Sequence, residues 1–219
     1  MPKSDFKHDL FTEFARVGKA LAHANRLELL EFIAQGKQSV EELAKKAGLS
    51  TANTSQHLQQ LRHAGLVTTQ KEGLKVFYQL SGDDVLSLIE ALRVVAERHV
   101  AEVNNLVSNF LYKKDKLEPI HREELIKRIN AGAVTIIDVR PADEYQSGHV
   151  AGAINIPVAE IDAQLSALPA SQEVVAYCRG PHCILAFEAV AMLRKKGRRA
   201  VRLEGGFPEW RQAGLPIEK

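Results

Sequence analysis

The sequence predicts an α+β domain of short helices and one hairpin, followed by an α/β domain with a mainly parallel sheet. Three observations point there. Helical segments bounded by Ser and Gly follow one another up to Gly65, apolar and polar residues alternate on both sides of Gly73, and beyond Pro119 strand and helix patterns take turns. A chain of 219 residues has enough length for two compact domains of roughly 100 residues, each with a core. Its 45% hydrophobic and 26% charged residues are ordinary for globular proteins and argue against a low-complexity chain. No apolar run of about 18 residues occurs, and charges interrupt MPKSDFKHDLFTEFARVGKA every few positions. Neither a signal peptide nor a membrane anchor is read, no membrane partner is expected, and the expected location is cytoplasmic.

In NRLELLEFIA, Leu27, Leu30, Ile33 and Ala34 share one helical face, and Gly36 follows as a stop. The next helix begins at Ser39 in SVEELAKKAGLS. The Ser39 hydroxyl can accept from free amides of the first turn, Glu42 completes a capping box, and Gly48 ends the helix. A third helix starts after Ser50 and runs through TANTSQHLQQLRHA to Gly65, with Leu58 and Leu61 facing inward. Two short helices joined by a Gly-Leu-Ser turn make a helix-turn-helix. LVTTQKEGLKVFYQL then alternates around Lys71-Glu72-Gly73, as a two-stranded hairpin with Gly in its turn would. Such a hairpin is a wing.

From Asp83 to Phe110 a single amphipathic helix is expected, with Val85, Leu88, Ile89, Leu92, Val95, Val100, Val103, Leu106, Val107 and Phe110 recurring every three or four residues. It would be roughly 40 Å long. The small domain before it cannot cover that row, so a homodimer through the 83–110 helix is expected. The charged segment 113–118 reads as the linker between a domain of residues 1–112 and one of residues 119–219. In the second domain HREELIKRINAG reads as a helix, VTIIDV and EVVAYC as buried strands, INIP as a short strand, CILAFEAVAMLRKKG as a helix and AVRLEGG as another strand.

The motifs HANRLELLEFI and SVEELAKKAGLSTANTSQHLQQLRHAGLV, with the wing and the last helix, resemble the ArsR-type winged-helix repressors over roughly residues 10–110. The resemblance implies a double-stranded DNA operator as partner, the helix after Ser50 in the major groove, and Lys71 and Lys75 on the wing. The side chains suit that role. Thr51, Asn53, Thr54, Ser55, Gln56 and Gln59 can hydrogen-bond base edges and phosphates, and Lys45, Lys46 and Arg62 the DNA backbone. His57 is as suited to packing inside the domain as to DNA. Bulk charge is no guide, because the net charge is +2 and residues 1–112 carry thirteen basic and thirteen acidic side chains. Many members of the family sense metals through cysteines near this helix or through Asp, His and Glu on the last one. This first domain has no cysteine and offers only His99 with Glu102, so no metal site and no cofactor is read. The input is expected in the second domain.

The two cysteines, Cys178 and Cys183, stand five positions apart, which argues against a disulfide framework and a four-cysteine zinc site. EVVAYCRGPHCILAF places Cys178 at the carboxyl end of a buried strand, where open α/β sheets bind ligands. Amides of the loop and of the following helix would face the sulfur, and Arg179 would add positive charge, favouring the nucleophilic thiolate. TIIDVRPADEYQSGHVAGAINIP, CRGPHC and EGGFPEW resemble the rhodanese sulfurtransferases across about residues 119–219. The resemblance implies that Cys178 accepts a sulfane sulfur as a persulfide inside a loop of Gly180, Pro181 and His182. It further implies that Asp138 and Arg140 support the pocket, that Gly205, Gly206 and Trp210 shape its edge, and that His149 is structural.

Phosphatases on this fold use a loop one residue longer that ends in Arg; Cys183 and Ile184 occupy those positions, which argues against phosphatase and arsenate reductase chemistry. Many sulfurtransferase loops end in a polar or basic residue that grips thiosulfate, and this one ends in Cys183. That thiol can attack a Cys178 persulfide and leave a disulfide if the Cα atoms lie within about 7 Å, or it can sit as a small buried apolar residue. The expected function is a dimeric DNA-binding regulator of repressor type whose second domain senses or processes reactive sulfur, from a persulfide, polysulfide or thiosulfate donor, through Cys178 and Cys183. The alternative is a sulfurtransferase with its persulfide on Cys178 and a winged helix that serves dimerisation or localisation.

Overall fold

A computed structural model describes residues 3–111, 113 and 119–219, so the expected linker, apart from Lys113, lies outside the described residues. The chain divides into two compact units, one ending at Leu92 and one starting at Arg93. The first contains α1 (Lys3–Leu21), α2 (Ala24–Ala34), β1 (Gln38–Ser39), α3 (Val40–Ala47), α4 (Thr51–His63), β2 (Val67–Glu72), β3 (Lys75–Leu80) and the start of α5 (Asp83–His99). Leu29 and Leu30 of α2, Leu43 of α3, and Leu58 and Leu61 of α4 meet in one core, all without solvent exposure. The helix ends are those the local chemistry demands. Ser39 and Glu42 form the reciprocal capping box, Gly48 closes α3 in the left-handed conformation, and Ser50 Oγ accepts from the Asn53 amide at 3.2 Å. The hairpin turns at Gly73 with φ +60°, and β1 adds a short third strand against β3. Helix α1 was not read from the sequence; Val17, Ala20 and Leu21 join the core while Phe6, Phe11 and Phe14 face solvent.

The single helix expected over residues 83–110 is corrected by the structure. Helix α5 ends at His99, Val100 turns extended (φ −112°, ψ 103°), α6 covers Ala101–Leu106, and a π-helical turn follows at Val107–Leu111. The Asn104 side chain donates to the Glu97 carbonyl at 2.7 Å, satisfying an acceptor that a continuing helix would have paired with its own amide. At 17 residues, α5 is about 25 Å long. Its row is split: Val85 and Leu86 are buried, whereas Leu88, Leu92 and Val95 are 39%, 40% and 57% exposed.

The rest of the second unit holds α7 (Arg122–Asn130), β4 (Val134–Asp138), α8 (Ala142–Ser147), β5 (His149–Val150), β6 (Ile154–Asn155), α9 (Ile161–Gln164), β7 (Glu173–Cys178), α10 (Ile184–Lys195), β8 (Ala200–Gly206), α11 (Phe207–Gln212) and β9 (Ile217–Glu218). The main sheet has the order β6-β4-β7-β8 and is parallel throughout. Both faces are covered, which is why its strands read as continuous apolar runs. Along β7, Val174, Ala176 and Cys178 point into the core beneath α10, and Val175 and Tyr177 into the core that holds Leu125 and Phe207. A register shift between Ala176 and Cys178 pairs Cys178 with Gly206 at the carboxyl end of the sheet. Among the described residues no helix is long and apolar enough to cross a membrane.

Candidate functional site

The loop from Cys178 to Cys183 leaves β7 and enters α10. The Cys183 amide donates to the Gly180 carbonyl at 3.1 Å, a tight turn that folds the loop back on itself. Cys178 and Cys183 are joined as a disulfide with their Cα atoms 6.4 Å apart. Cys178 is fully buried and Cys183 nearly so. Cys183 occupies the N-cap of α10 without a side-chain cap, so the amides of that first turn are directed toward the loop without a local side-chain acceptor. Gly206 runs directly beneath: a Cβ added there would collide with the backbone of Cys178, Arg179 and Gly180. Gly205 lies against Glu209, while Trp210 is buried in the neighbouring core and donates to the Pro216 carbonyl at 2.9 Å.

Around this loop stands a buried ionic scaffold. Arg140 donates to Asp138 from its backbone amide at 3.0 Å and from its guanidinium at 2.5 to 3.1 Å, and it also donates to the Gly148 carbonyl at 2.8 Å. Its guanidinium lies 4.4 Å from the Phe207 ring centroid. Tyr177 donates to Asp138 at 2.6 Å, and burial followed by the Asp138 charge pushes its pKa above the ordinary value, so it remains a donor. Asp138 and Arg140 thus tie the ends of β4 and β7 to the Gly148 turn. Such a pair holds a geometry more than it adds net stability. The Arg179 guanidinium is engaged by Glu144, at 2.9 and 3.2 Å from Nε and 2.8 Å from the second terminal nitrogen. Its charge is therefore largely met by a carboxylate, where the sequence pointed to the sulfur. His182 Nε2 stands 3.2 Å from Glu97 Oε1, and burial lowers its pKa while Glu97 opposes the shift. Pro181 lies between these residues and is half-buried. His149 stacks on Tyr145 with 3.7 Å between centroids, a packing role. Glu144, Tyr177 and Glu209 were not singled out from the sequence; Glu144 lies inside the quoted ADEYQSGHV motif, but nothing local marks its partner.

On the first unit, Thr51, Gln56, Gln59 and Arg62 are exposed along α4, Asn53 and Ser55 are half-exposed, and Lys71 and Lys75 are exposed on the hairpin. Thr54 is corrected: it is buried and its hydroxyl donates to the Ser50 carbonyl at 3.0 Å, so it secures the start of α4 instead of reaching a base. His57 packs against His23 with centroids 4.5 Å apart, and its pKa is lowered by burial, then by His23 and Arg26. Among the described residues no group of three or more His, Cys, Asp or Glu is placed to hold a metal ion.

A capped helix-turn-helix with a wing, followed by a parallel sheet that ends in a cysteine loop, defines a winged-helix transcriptional regulator with a rhodanese-like domain. The family model of the bacterial regulatory protein, arsR family, matches residues 23–69, and that of the rhodanese-like domain matches residues 121–213. The HTH-type transcriptional regulator Rv0324 of Mycobacterium tuberculosis is 43% identical over 217 residues, spanning 99% of this chain and 95% of its own. The chain therefore belongs to the ArsR family of DNA-binding transcriptional regulators, in a form that carries a rhodanese-like domain. Two solved structures match its halves. The homodimeric winged helix-turn-helix DNA-binding domain of a Mycobacterium bovis protein, fragment 1–100, is 40% identical, covers 46% of this chain and 93% of its own, and has a TM-score of 0.43. A rhodanese-related protein from Thermoplasma volcanium is 29% identical, covers 47% and 98%, and has a TM-score of 0.42.

Proposed function

We propose that this regulator is a dimeric repressor whose operator affinity is set by the oxidation state of Cys178 and Cys183, with reactive sulfur as the input. The cysteine pair carries the reading: two cysteines joined as a disulfide with Cα atoms 6.4 Å apart, on one loop at the carboxyl end of the sheet, in a chain with no other cysteine. The cytoplasm is reducing and would present the pair as thiols.

The chemistry closes without a separate oxidant. The Cys178 thiolate attacks the outer sulfur of a persulfide RSSH; that S–S bond breaks, RS⁻ leaves and is protonated, and Cys178 carries the sulfur as a persulfide. The Cys183 thiolate then attacks Cys178 Sγ and expels hydrosulfide, leaving the disulfide. In sum two thiols and RSSH give a disulfide, RSH and hydrogen sulfide, with the sulfane sulfur taking the two electrons. The directed amides at the start of α10 favour both the thiolate and the intermediate persulfide anion.

The exposed row of Leu88, Leu92 and Val95 on α5 is assigned to a second copy of the chain, which would present two α4 helices to half-sites about 34 Å apart. His182, between the two cysteines, pairs with Glu97 of this same helix, so closing the loop would bear on α5. The test uses the reduced full chain and an operator selected by it from random-sequence DNA. Glutathione persulfide is expected to cross-link the loop peptide, read by mass spectrometry, and to change operator affinity by about tenfold or more. Cys178→Ser is expected to abolish both effects. Cross-linked protein with unchanged affinity would overturn the reading.

A further inference from the structure

Helix α10 ends in a run of cations, Arg194-Lys195-Lys196-Gly197-Arg198-Arg199, that carries the chain into β8. Neutral groups hold its last two side chains. The Arg198 guanidinium donates to the carbonyls of Leu165, at 3.3 Å, and Leu168, and that of Arg199 donates to the Ser171 carbonyl at 2.8 Å. A carbonyl fixes a guanidinium in place and leaves its charge. Among the described residues no carboxylate stands within ion-pair distance of Lys195, Arg198 or Arg199. Two acids beside the run are engaged elsewhere, Asp162 by Lys196 at 3.1 Å and Glu173 by Arg128. The negative end of α10 offsets only about half an elementary charge. Like charges on one turn repel, so the run is a cost to the fold that a polyanion would relieve. Lys195 and Arg199 are exposed and Arg198 is half-buried. The run feeds the amino end of β8, whereas the cysteine loop leaves the carboxyl end of the parallel strand β7, so the two lie at opposite ends of the sheet.

We propose that this basic turn is a second DNA contact, in which Lys195, Arg198 and Arg199 bind phosphates of the duplex beside the operator while the winged-helix unit reads the operator itself. A duplex is the polyanion that membership of a DNA-binding family supplies. Both units belong to one chain, so a bound winged helix keeps the second unit at high local concentration near flanking DNA, where weak contacts add affinity. Phosphate contacts carry no sequence information and act by releasing counterions, so their contribution falls steeply with salt. The inference rests on the family's DNA binding and is independent of the sulfur reading at Cys178.

The experiment measures, by fluorescence anisotropy, binding of the reduced full chain to two duplexes. One is trimmed to an operator selected from random-sequence DNA, and the other adds about 15 unrelated base pairs on each side. At about 0.05 M salt the parent is expected to bind the longer duplex about tenfold tighter. Lys195→Gln with Arg199→Gln is expected to remove most of that gain. On the longer duplex the same variant should reduce the steepness of log affinity against log salt by about 2 per chain. Lys195→Arg with Arg199→Lys keeps the charge and should keep the steepness, which a merely structural role for the Arg199 bond to Ser171 would not. Flanks without effect in the parent, a folded Gln variant with the parent's salt dependence, or a charge-retaining variant that loses it would each overturn the proposal. Binding to phosphatidylserine vesicles that the Gln variant loses, with its salt dependence on DNA unchanged, would give the patch to a membrane and overturn it too. A parent that selects no operator would remove the DNA-binding role itself, and the inference with it.

Discussion

Gly206 has the most demanding position around the loop. Its backbone is extended, so the need for glycine is steric: any Cβ meets the backbone of Cys178, Arg179 and Gly180. Gly206→Ala is expected to displace the loop or the end of β8, costing about 1–3 kcal/mol and lowering the melting temperature by several degrees, about 2–4 °C per kcal/mol. Calorimetry on the full chain checks this, and an unchanged melting temperature would mean that the loop has room to move. The same reasoning explains a limit of sequence reading. Gly206 was legible as part of a Gly-Gly turn, yet the backbone it lies under belongs to a loop far earlier in the chain, and no local pattern names it. Arg179 makes the same point, since its neighbour on the chain is Cys178 while its partner in space is Glu144.

Helices α2 and α4 meet through an aromatic pair that couples them to pH. The His23 ring nitrogen accepts from the Asn25 amide at 3.2 Å as the cap of α2, and His57 packs at a tilt against that ring from α4. Burial, then His23, then Arg26 disfavour the charged form of His57. His57 has a lowered pKa in the folded chain, so the unfolded chain binds its proton more readily. The stability it reflects is complete above its ordinary value of 6.5 and declines as pH falls through the folded value. Urea midpoints taken between about pH 7.5 and 5.5 are expected to fall, and less steeply in His57→Gln. His182 shifts in the same sense in the other unit, so the informative quantity is the difference between parent and variant. Identical slopes would remove His57 from the account. The caps of α3 and α4 were legible because a capping residue and its amide lie three positions apart. The end of α5 was not: an apolar repeat through Val100 is compatible with continuous helix, and the Asn104 to Glu97 bond that accompanies the break leaves no trace in periodicity.

On the proposed function, two units on one chain divide the work between reading DNA and receiving a chemical signal, and the second copy is where the two jobs would combine. Helix α5 buries Val85 and Leu86 but exposes Leu88, Leu92 and Val95, a row that a partner helix would cover. Leu92→Glu places a charge in that row without touching the core of the first unit. It is expected to convert the protein to a monomer by light scattering and to weaken operator binding about tenfold or more through loss of the second half-site. A dimer that persists with full affinity would assign the exposed row to something else. The correction at Val100 bears on this design, because a row limited to about 25 Å gives a shorter contact than a continuous helix of roughly 40 Å would.

Neighbouring residues sufficed to place most of the elements and the cysteine pair. Capping boxes, glycine turns, helical and strand periodicity, and two cysteines at the end of an apolar strand are interactions or patterns spanning about five positions, so the chain alone carries them. Their surroundings depended on the sheet order β6-β4-β7-β8, which brings together residues tens of positions apart. Tyr177 meets Asp138, Glu144 takes the charge of Arg179, and Glu209 is held beside Gly180 by its bond to Gly206. Burial and cross-strand register set those contacts, and with them the surroundings of Cys178.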